Sequence, residues 1–209
     1  MGRPERPCSQ FANPTSLCYR PPMLAILERP EMRRHALPVS VPGYEKMGEL
    51  GLIDESTELL RGVIFEKMSK SPLHSGLTRR FIRAVAEAID TRHFISSEQP
   101  LRLADSCPEP DLAVVEGAEE DFMTRHPGTA RLVIEISLST ETLDREKAAI
   151  YAEAGIPEYW IVLPARNAIE VFTRPVDGIY SSQQIVAAET ACVSSVFPRL
   201  TVRLTDWLT

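Results

Sequence analysis

The stretch that decides the fold reads PEPDLAVV at residues 108–115 and RLVIEISLSTETLDREKAAIYAEAGIPEYWIV at residues 131–162. Within it, the segment from Arg131 to Leu138 alternates two sets of side chains that are both largely apolar. This pattern predicts a strand that is covered on both faces, as in the middle of a mixed α/β sheet. A carboxylate such as Glu135 in a strand of this kind costs free energy unless it is paired or binds a metal. Glu135 is therefore a candidate functional residue.

A second acidic residue, Asp111, opens the strand predicted at Asp111–Val115. Side chains alternate between the two faces of a strand, so Asp111 and Glu135 can meet on one face if the two strands are neighbours. Two hard oxygen donors at that distance suit Mg²⁺, which favours one or two carboxylates together with water and substrate phosphate. The two residues thus predict a magnesium site.

A predicted helix follows the central strand and carries a lysine on its inner side. Lys147 comes four residues after Leu143 and four before Tyr151, so it lies within the apolar stripe that faces the sheet. A lysine that points toward the sheet needs an anion. Either Glu135 or a bound phosphate would supply one.

The remaining elements are predicted from hydrophobic periodicity and from glycine and proline positions. We expect helices at Pro42–Leu50, from Pro72 to about Thr91, and from Thr140 or Thr142 to Gly155. We expect strands at Thr57–Leu60, Val63–Met68, His93–Ser97, Pro100–Leu103, Glu158–Leu163, Ala168–Thr173 and Gly178–Val186, with Val196–Leu208 finishing the sheet. The polar stretch from Glu116 to Thr129 is predicted to be a loop.

The order and spacing of these motifs resemble a known family. PEPDLAVV, LVIEIS, STETLDREKAAIY and AGIPEYWIV are similar to the Uma-two family of restriction endonucleases, within the P-D-(D/E)-x-K nuclease superfamily. The resemblance runs from about Pro42 to the C-terminus. It implies a restriction-endonuclease-like α/β fold, a central mixed β-sheet flanked by α-helices. It also implies an endonuclease that uses Mg²⁺ or Mn²⁺ to hydrolyse phosphodiester bonds of DNA.

The resemblance further implies roles for individual residues. Asp111 and Glu135 would hold the ion, together with the backbone carbonyl of Ile136. The simplest superfamily pattern places lysine two residues after the glutamate, where this chain has Ser137. The resemblance implies that the lysine has migrated to the helix as Lys147, where it would position the attacking water or neutralise developing charge.

Upstream, TELLRGVIFEKMSKSPLHSGL at residues 57–77 is similar to the opening hairpin and first long helix of the family. Glu58 is implied as a further carboxylate that supports the site or a second metal, and His74 as a residue that faces it. Arg79 and Arg83, beside Arg80 and preceded by two lysines at 67 and 70, form a candidate DNA-binding patch. The alternative for this patch is a solvated helix face, which we favour for Arg80.

The same residues allow other interpretations. An aspartate after proline, such as Asp111, is also typical of a strand-opening or turn residue. Glu135 and Lys147 also fit a buried structural ion pair without chemistry. Two other functions therefore compete with the endonuclease: a catalytically silent nuclease fold that acts as a DNA-binding or protein-interaction module, and a metal hydrolase of small phosphoesters.

Charge and composition divide the chain into two parts. Residues 1–37 are rich in proline, carry six Arg against three Glu, and are predicted to be a disordered extension in which Met23 and Met32 are candidate later start sites. Residues 38–209 are predicted to form the nuclease domain, with 17 basic against 26 acidic residues. This acidic balance argues against a broad basic nucleic-acid surface, although a metal and a local patch suffice for a nuclease.

Cysteine usage and hydropathy give further expectations. Cys8, Cys18, Cys107 and Cys192 form no CxxC pair, which predicts reduced thiols rather than a zinc site or a disulfide framework. The apolar run MLAIL is too short for a signal peptide or a membrane helix, so we expect no membrane partner and a cytoplasmic location. A homodimer is expected from the family and from the apolar C-terminal strands.

Overall fold

The computed structural model describes Leu27 and residues 29–208, and it divides into two compact units, Met1–Leu37 and Pro38–Thr209. In the first unit, helix α1 spans Pro30–Arg33 and begins with proline, whose fixed φ suits the first helical turn. The extension predicted at residues 1–37, with Cys8 and Cys18, falls largely outside the described residues.

The second unit, over its described residues, contains three α-helices and ten strands. The helices are α2 (Val41–Glu49), α3 (Pro72–Ala88) and α4 (Glu141–Glu153), and shorter 3₁₀ helices span Glu119–Phe122, Pro164–Arg166 and Leu204–Trp207. The strands are β1 (Thr57–Leu60), β2 (Val63–Glu66), β3 (His93–Ser96), β4 (Leu112–Glu116), β5 (Leu132–Ile136), β6 (Glu158–Leu163), β7 (Ala168–Val176), β8 (Ile179–Ala187), β9 (Cys192–Val193) and β10 (Thr201–Val202). None of the described helices is long and apolar enough to cross a membrane.

The central sheet has six strands in the order β3-β4-β5-β6-β7-β8. Strands β5 and β6 are parallel, with α4 as the crossover between them, and the other neighbours are antiparallel. This confirms the predicted α/β fold with a central mixed sheet. Within it, Leu112 pairs with Ile134, which sets Asp111 opposite Glu135 one residue further along.

Both faces of the sheet are covered, as the pattern around Glu135 predicts. Ile134 and Ile136 belong to the core that α3 and the C-terminal segment cover. Val133 belongs to the opposite core, beneath α4. Because side chains alternate along a strand, Glu135 shares the face of Val133 and points toward α4.

Two predicted strands are wrong. Pro100–Leu103 forms no strand, because the chain turns back at once: the N–H of Leu101 donates to Pro108 O, and that of Leu103 donates to Ser106 O. Val196–Leu208 does not finish the central sheet. Its alternating apolar residues pack over the α3 face instead, where Trp207 contacts the Phe81 ring edge-on, and β10 pairs only with β9.

The β1–β2 hairpin is a separate two-stranded sheet that turns at Arg61 and Gly62, as predicted. Gly62 has a φ of +73°, and a Cβ there would lie 2.3 Å from the Cβ of Pro38, so only glycine fits. Arg61, the residue before it, forms a double hydrogen bond to Glu153 at the end of α4. The turn is thereby tied to α4, and Glu58 is positioned on the adjoining strand.

Candidate active site

A cleft of about 1050 Å³ opens where the hairpin and the start of α3 meet the adjoining ends of β4, β5 and α4. Among the described residues that line it are nine acidic side chains, three lysines and one histidine. The cleft contains Asp111, Glu135, Lys147, Glu58, Ile136 and His74, six of the residues predicted to form the site. Its chemistry is therefore dominated by carboxylates.

Asp111 and Glu135 hold each other in place across the β4–β5 pair. The backbone N–H of Asp111 donates to Glu135 Oε2 at 3.1 Å. The N–H of Ile136 donates in return to Asp111 Oδ2 at 2.8 Å. Each carboxylate is thus oriented by the backbone of the neighbouring strand, and the two predicted carboxylates lie together.

The backbone of Ile136 determines the direction of its carbonyl group. Ser137 N–H bonds to Val162 O in the parallel β5–β6 pair. The N–H and C=O of Ile136, one residue earlier, therefore point to the β4 side. Continuing the β4–β5 register by two residues places Ile136 opposite Pro110, which has no N–H to donate. The backbone carbonyl of Ile136 therefore lies on the β4 side of the strand, and its part in an ion site stays a prediction.

Asp111 contacts a lysine, a histidine and a backbone N–H. His74 Nε2 lies 3.0 Å from Asp111 Oδ2, and Lys70 Nζ lies 3.3 Å from Oδ1. Burial alone raises the pKa of Asp111, but the contacts with His74, the Ile136 N–H and Lys70 outweigh it and hold this pKa below its usual range. Asp111 therefore remains a carboxylate.

Lys147 is a buried ammonium between carboxylates. Its Nζ lies 3.0 Å from Glu58 Oε1, 3.0 Å from Glu135 Oε1 and 3.8 Å from Asp144 Oδ1. Burial lowers the pKa of this lysine, while Glu135, Glu58 and Asp144 together raise it well above its usual value. Glu58 is itself oriented by the backbone N–H of Glu109, at 3.2 Å.

Glu135 is buried beside the Lys147 ammonium and three other carboxylates. Burial raises its pKa to about 8, with Lys147 opposing the rise and Asp111, Asp144 and Glu58 adding to it. The hydroxyl of Tyr151 donates to Glu135 Oε1 at 3.2 Å. A proton, or another cation, is therefore favoured at this group.

Asp144 and Tyr151 also belong to the site, although no role in it was predicted for them. They come three residues before and four residues after Lys147, spacings that place all three on one face of a helix. Asp144 is buried and accepts from Thr140 Oγ1 at 2.6 Å. Their helical spacing from Lys147 is the sequence signal that could have identified them.

The structure does not bring Arg79 and Arg83 to the cleft. Both are exposed on α3, and at about 100° per residue they lie roughly 140° and 180° around the helix from His74. The cations that do line the cleft, besides Lys147, are Lys67 and Lys70. Substrate binding by the two arginines stays a prediction.

The oxygen donors of the cleft determine whether it fits a divalent ion. As the side chains stand, no three His, Cys, Asp or Glu side chains among the described residues are grouped to hold a metal. Mg²⁺ needs only one or two carboxylates, because it keeps several waters. Asp111 and Glu135 adjoin as hard oxygen donors, and these two carboxylates fit Mg²⁺ or Mn²⁺.

Comparison with known families decides the identity. Residues 47–205 match the sequence profile of the Uma2 family, described as "Putative restriction endonuclease". The chain belongs to the Uma2 family. This confirms the family predicted from the motifs, and the family together with the fold points to a nuclease of the restriction-endonuclease type.

A solved structure supports the fold of this Uma2 member. It is described as a "putative nuclease belonging to DUF820" from Anabaena variabilis, and it matches with a TM-score of 0.67, 15% identity, and coverage of 82% of this chain and 98% of that one. At this identity the likeness shows the fold alone. None of the curated proteins compared with the chain matches it.

A second structure is less similar. It is the type IIG restriction endonuclease BpuSI, with a TM-score of 0.37 and 15% identity over 63% of this chain and 16% of that one. A TM-score this low carries no argument about the Uma2 chain.

Proposed function

We propose that this chain is a metal-dependent endonuclease that hydrolyses phosphodiester bonds of DNA, with Mg²⁺ or Mn²⁺ as the ion. One observation carries the proposal. Two carboxylates from adjacent strands, Asp111 and Glu135, adjoin in an open cleft, and the Lys147 ammonium lies 3.0 Å from Glu135. Carboxylates that converge beside a lysine are suited to binding a metal and to stabilising a phosphate that gains charge.

The roles follow from the contacts. Asp111, Glu135 and the carbonyl of Ile136 would hold the ion. When bound, a divalent ion neutralises charge on the phosphate and lowers the pKa of water. Lys147, kept cationic by its carboxylates, would orient the attacking water or neutralise charge that develops on the phosphate. Glu58 would keep the ammonium in position through its 3.0 Å contact.

The charges of the buried groups also favour a cation. Glu58, Asp111, Glu135 and Asp144 are all buried, and Lys147 is the lysine buried among them. Four carboxylates against one ammonium leave an excess of negative charge, which is unfavourable away from water unless it is compensated. Burial raises the pKa of Glu135 to about 8, and the neighbouring carboxylates of Asp111, Asp144 and Glu58 add to the rise. A divalent ion would relieve it.

Plasmid cleavage with Mg²⁺ or Mn²⁺ tests the proposal. We expect the wild-type chain to nick or linearise supercoiled DNA, and we expect Glu135→Ala and Lys147→Ala to lower the rate at least about 100-fold, because each removes a group that acts on the transition state. Glu55→Ala is the control, since Glu55 lines the same cleft but is exposed. Equal cleavage by the wild type and Glu135→Ala would overturn the assignment.

A second function is favoured by the acidic walls of the cleft. Nine acidic side chains against three lysines repel a long polyanion more than a small phosphoester. Hydrolysis of a chromogenic phosphodiester without plasmid cleavage would identify a small-phosphoester hydrolase. No hydrolysis and no metal binding, with DNA binding unchanged in Asp111→Ala, would identify a silent nuclease fold. The homodimer, the cytoplasmic location and the extent of the nuclease domain stay predictions.

A further inference from the structure

The two lysines that contact the candidate metal ligands differ in their surroundings. The side chain of Lys147 is only 6% exposed and is enclosed by carboxylates. The side chain of Lys70 is 35% exposed, at the mouth of the cleft, with its Nζ 2.9 Å from Glu98 Oε1 and 3.3 Å from Asp111 Oδ1. Lys147 is therefore fixed, whereas Lys70 is shared between two partners and has access to solvent.

The Lys70 ammonium contacts Oδ1, the oxygen of Asp111 to which an ion would bind. The other oxygen, Oδ2, already accepts the N–H of Ile136 and contacts His74 Nε2. Metal–oxygen distances for Mg²⁺ are about 2.0–2.1 Å, so an ion on Oδ1 would lie close to the ammonium and repel it. The ion and the Lys70 ammonium therefore compete for Oδ1.

Glu98 provides a second position for the ammonium. It adopts a φ of +56°, a conformation that non-glycine residues rarely take, and its N–H donates to Pro110 O at 3.2 Å. This bond fixes Glu98 next to the residue that precedes Asp111. When Asp111 is occupied, Lys70 can thus stay bound to Glu98 while its ammonium remains within the cleft.

We propose that the Lys70 ammonium pairs with Asp111 Oδ1 in the ion-free protein and leaves this oxygen when the ion binds. It then contacts a substrate phosphate while it remains paired with Glu98. This inference rests on the proposed function. It makes Lys70 a substrate-binding residue whose contact with DNA becomes available only after the ion has bound. Metal and substrate then enter the cleft cooperatively.

Lys67 offers a matched comparison. It lines the same cleft and its side chain is 27% exposed, but it forms its ion pair with Glu109 rather than with Asp111. Removing its charge changes the net charge of the cleft by the same amount as removing that of Lys70. Only Lys70 competes directly for the ligand oxygen.

Titration calorimetry with Mn²⁺ alone measures the competition. We expect Lys70→Gln to bind Mn²⁺ about three- to tenfold more tightly than the wild type, because it removes a partly exposed cation from the ligand. Lys67→Gln should change the affinity less than about twofold, and Lys70→Arg should stay near the wild type. Equal affinities for Lys70→Gln and Lys67→Gln would overturn the inference.

Steady-state cleavage of a short DNA duplex tests the substrate contact. Lys70→Gln should raise KM about fivefold, and Lys70→Arg should restore it, since arginine also binds phosphate. A wild-type KM in Lys70→Gln would overturn the contact. If the wild type binds no Mn²⁺, the proposed function itself fails. If the wild type binds Mn²⁺ and Glu135→Ala does not, the proposed function stands. Lys70 variants without the expected changes in Mn²⁺ affinity and KM would then overturn only the inference about Lys70.

Discussion

Two buried glutamates on neighbouring strands, Glu135 on β5 and Glu158 on β6, are surrounded in opposite ways. Glu158 is fully buried, and the described residues that donate to its oxygens are neutral. They include the indole N–H of Trp160, the hydroxyl of Ser194 at 2.7 Å and the backbone N–H of Val196 at 3.0 Å. Glu135 is equally inaccessible, but it has an ammonium, a phenol and three other carboxylates around it, at the wall of an open cleft.

The difference separates a structural carboxylate from a functional one. Fixed neutral donors satisfy Glu158 completely, so it gains nothing from a further ligand and joins the C-terminal segment to the sheet. Glu135 shares its one close cation with Glu58 and Asp144, so its charge is only partly compensated. Burial alone therefore does not identify a site; incomplete compensation beside a cleft does.

The largest expected effect contrasts the two residues directly. Glu158→Gln should lower the free energy of unfolding by about 3 kcal/mol, because its amide N–H₂ would face buried donors that lose their acceptor. Glu135→Gln should change it by less than about 1 kcal/mol at pH 7, since Glu135 holds a proton below its pKa of about 8 and the amide then replaces a side chain that is already neutral. Urea denaturation of both variants measures this. A loss in Glu135→Gln as large as that in Glu158→Gln would break the comparison.

The pH dependence of stability gives an intermediate effect. In the ion-free protein the pKa of Glu135 is raised to about 8, above the value of about 4.3 for an unfolded glutamate. The folded state therefore holds this proton more tightly, and the resulting stabilisation is complete below about pH 4.3 and is lost as the pH rises through about 8. Glu135→Gln cannot titrate at this position.

Thermal denaturation of wild type and Glu135→Gln across this range measures the effect. The Tm of the wild type should fall relative to that of the variant between about pH 4.3 and pH 8. Above about pH 8 the difference between the two Tm values should be constant. A constant difference across the whole range would show that Glu135 is ionised throughout.

The smallest expected effect concerns a thiol near Glu158. Burial and the Glu158 carboxylate raise the pKa of Cys192 to about 12. Burial also raises the pKa of Cys107, to about 11, with Glu45 rather than Glu158 as the neighbouring carboxylate. Iodoacetamide should label both thiols slowly at pH 8, because the thiolate is the reactive form.

Glu158→Gln should speed the labelling of Cys192 about two- to threefold and leave that of Cys107 unchanged, as peptide mass mapping would measure. An equal acceleration at both thiols would indicate a general loosening of the fold. In that event the charge of Glu158 would not be the cause.

The parts predicted from the sequence are those that depend on local periodicity. A period of two placed Glu135 on a covered strand, and a helical spacing directed Lys147 toward the sheet. Partners distant in the chain carry no such signal. His74 reaches Asp111 across 37 residues, and Glu158 accepts from a segment 38 residues later.

Periodicity also identifies a buried face without identifying what covers it. The apolar alternation near Leu200 and Val202 predicted a further strand of the sheet. These residues are buried instead by packing on the sheet's face. The same limit applies to Arg79 and Arg83. Helical spacing predicts where they lie around α3, but it does not predict which side of α3 faces the cleft.

The single parallel pair of the sheet has a consequence for how the site assembles. Glu135 and Lys147 are 12 residues apart within one β5-α4-β6 crossover, whereas the contact of His74 with Asp111 closes a loop three times as long. Closing a longer loop costs more chain entropy, and non-local contacts slow folding. The glutamate–lysine half of the cleft can therefore form early in folding, and the aspartate–histidine half completes it when the antiparallel strand docks.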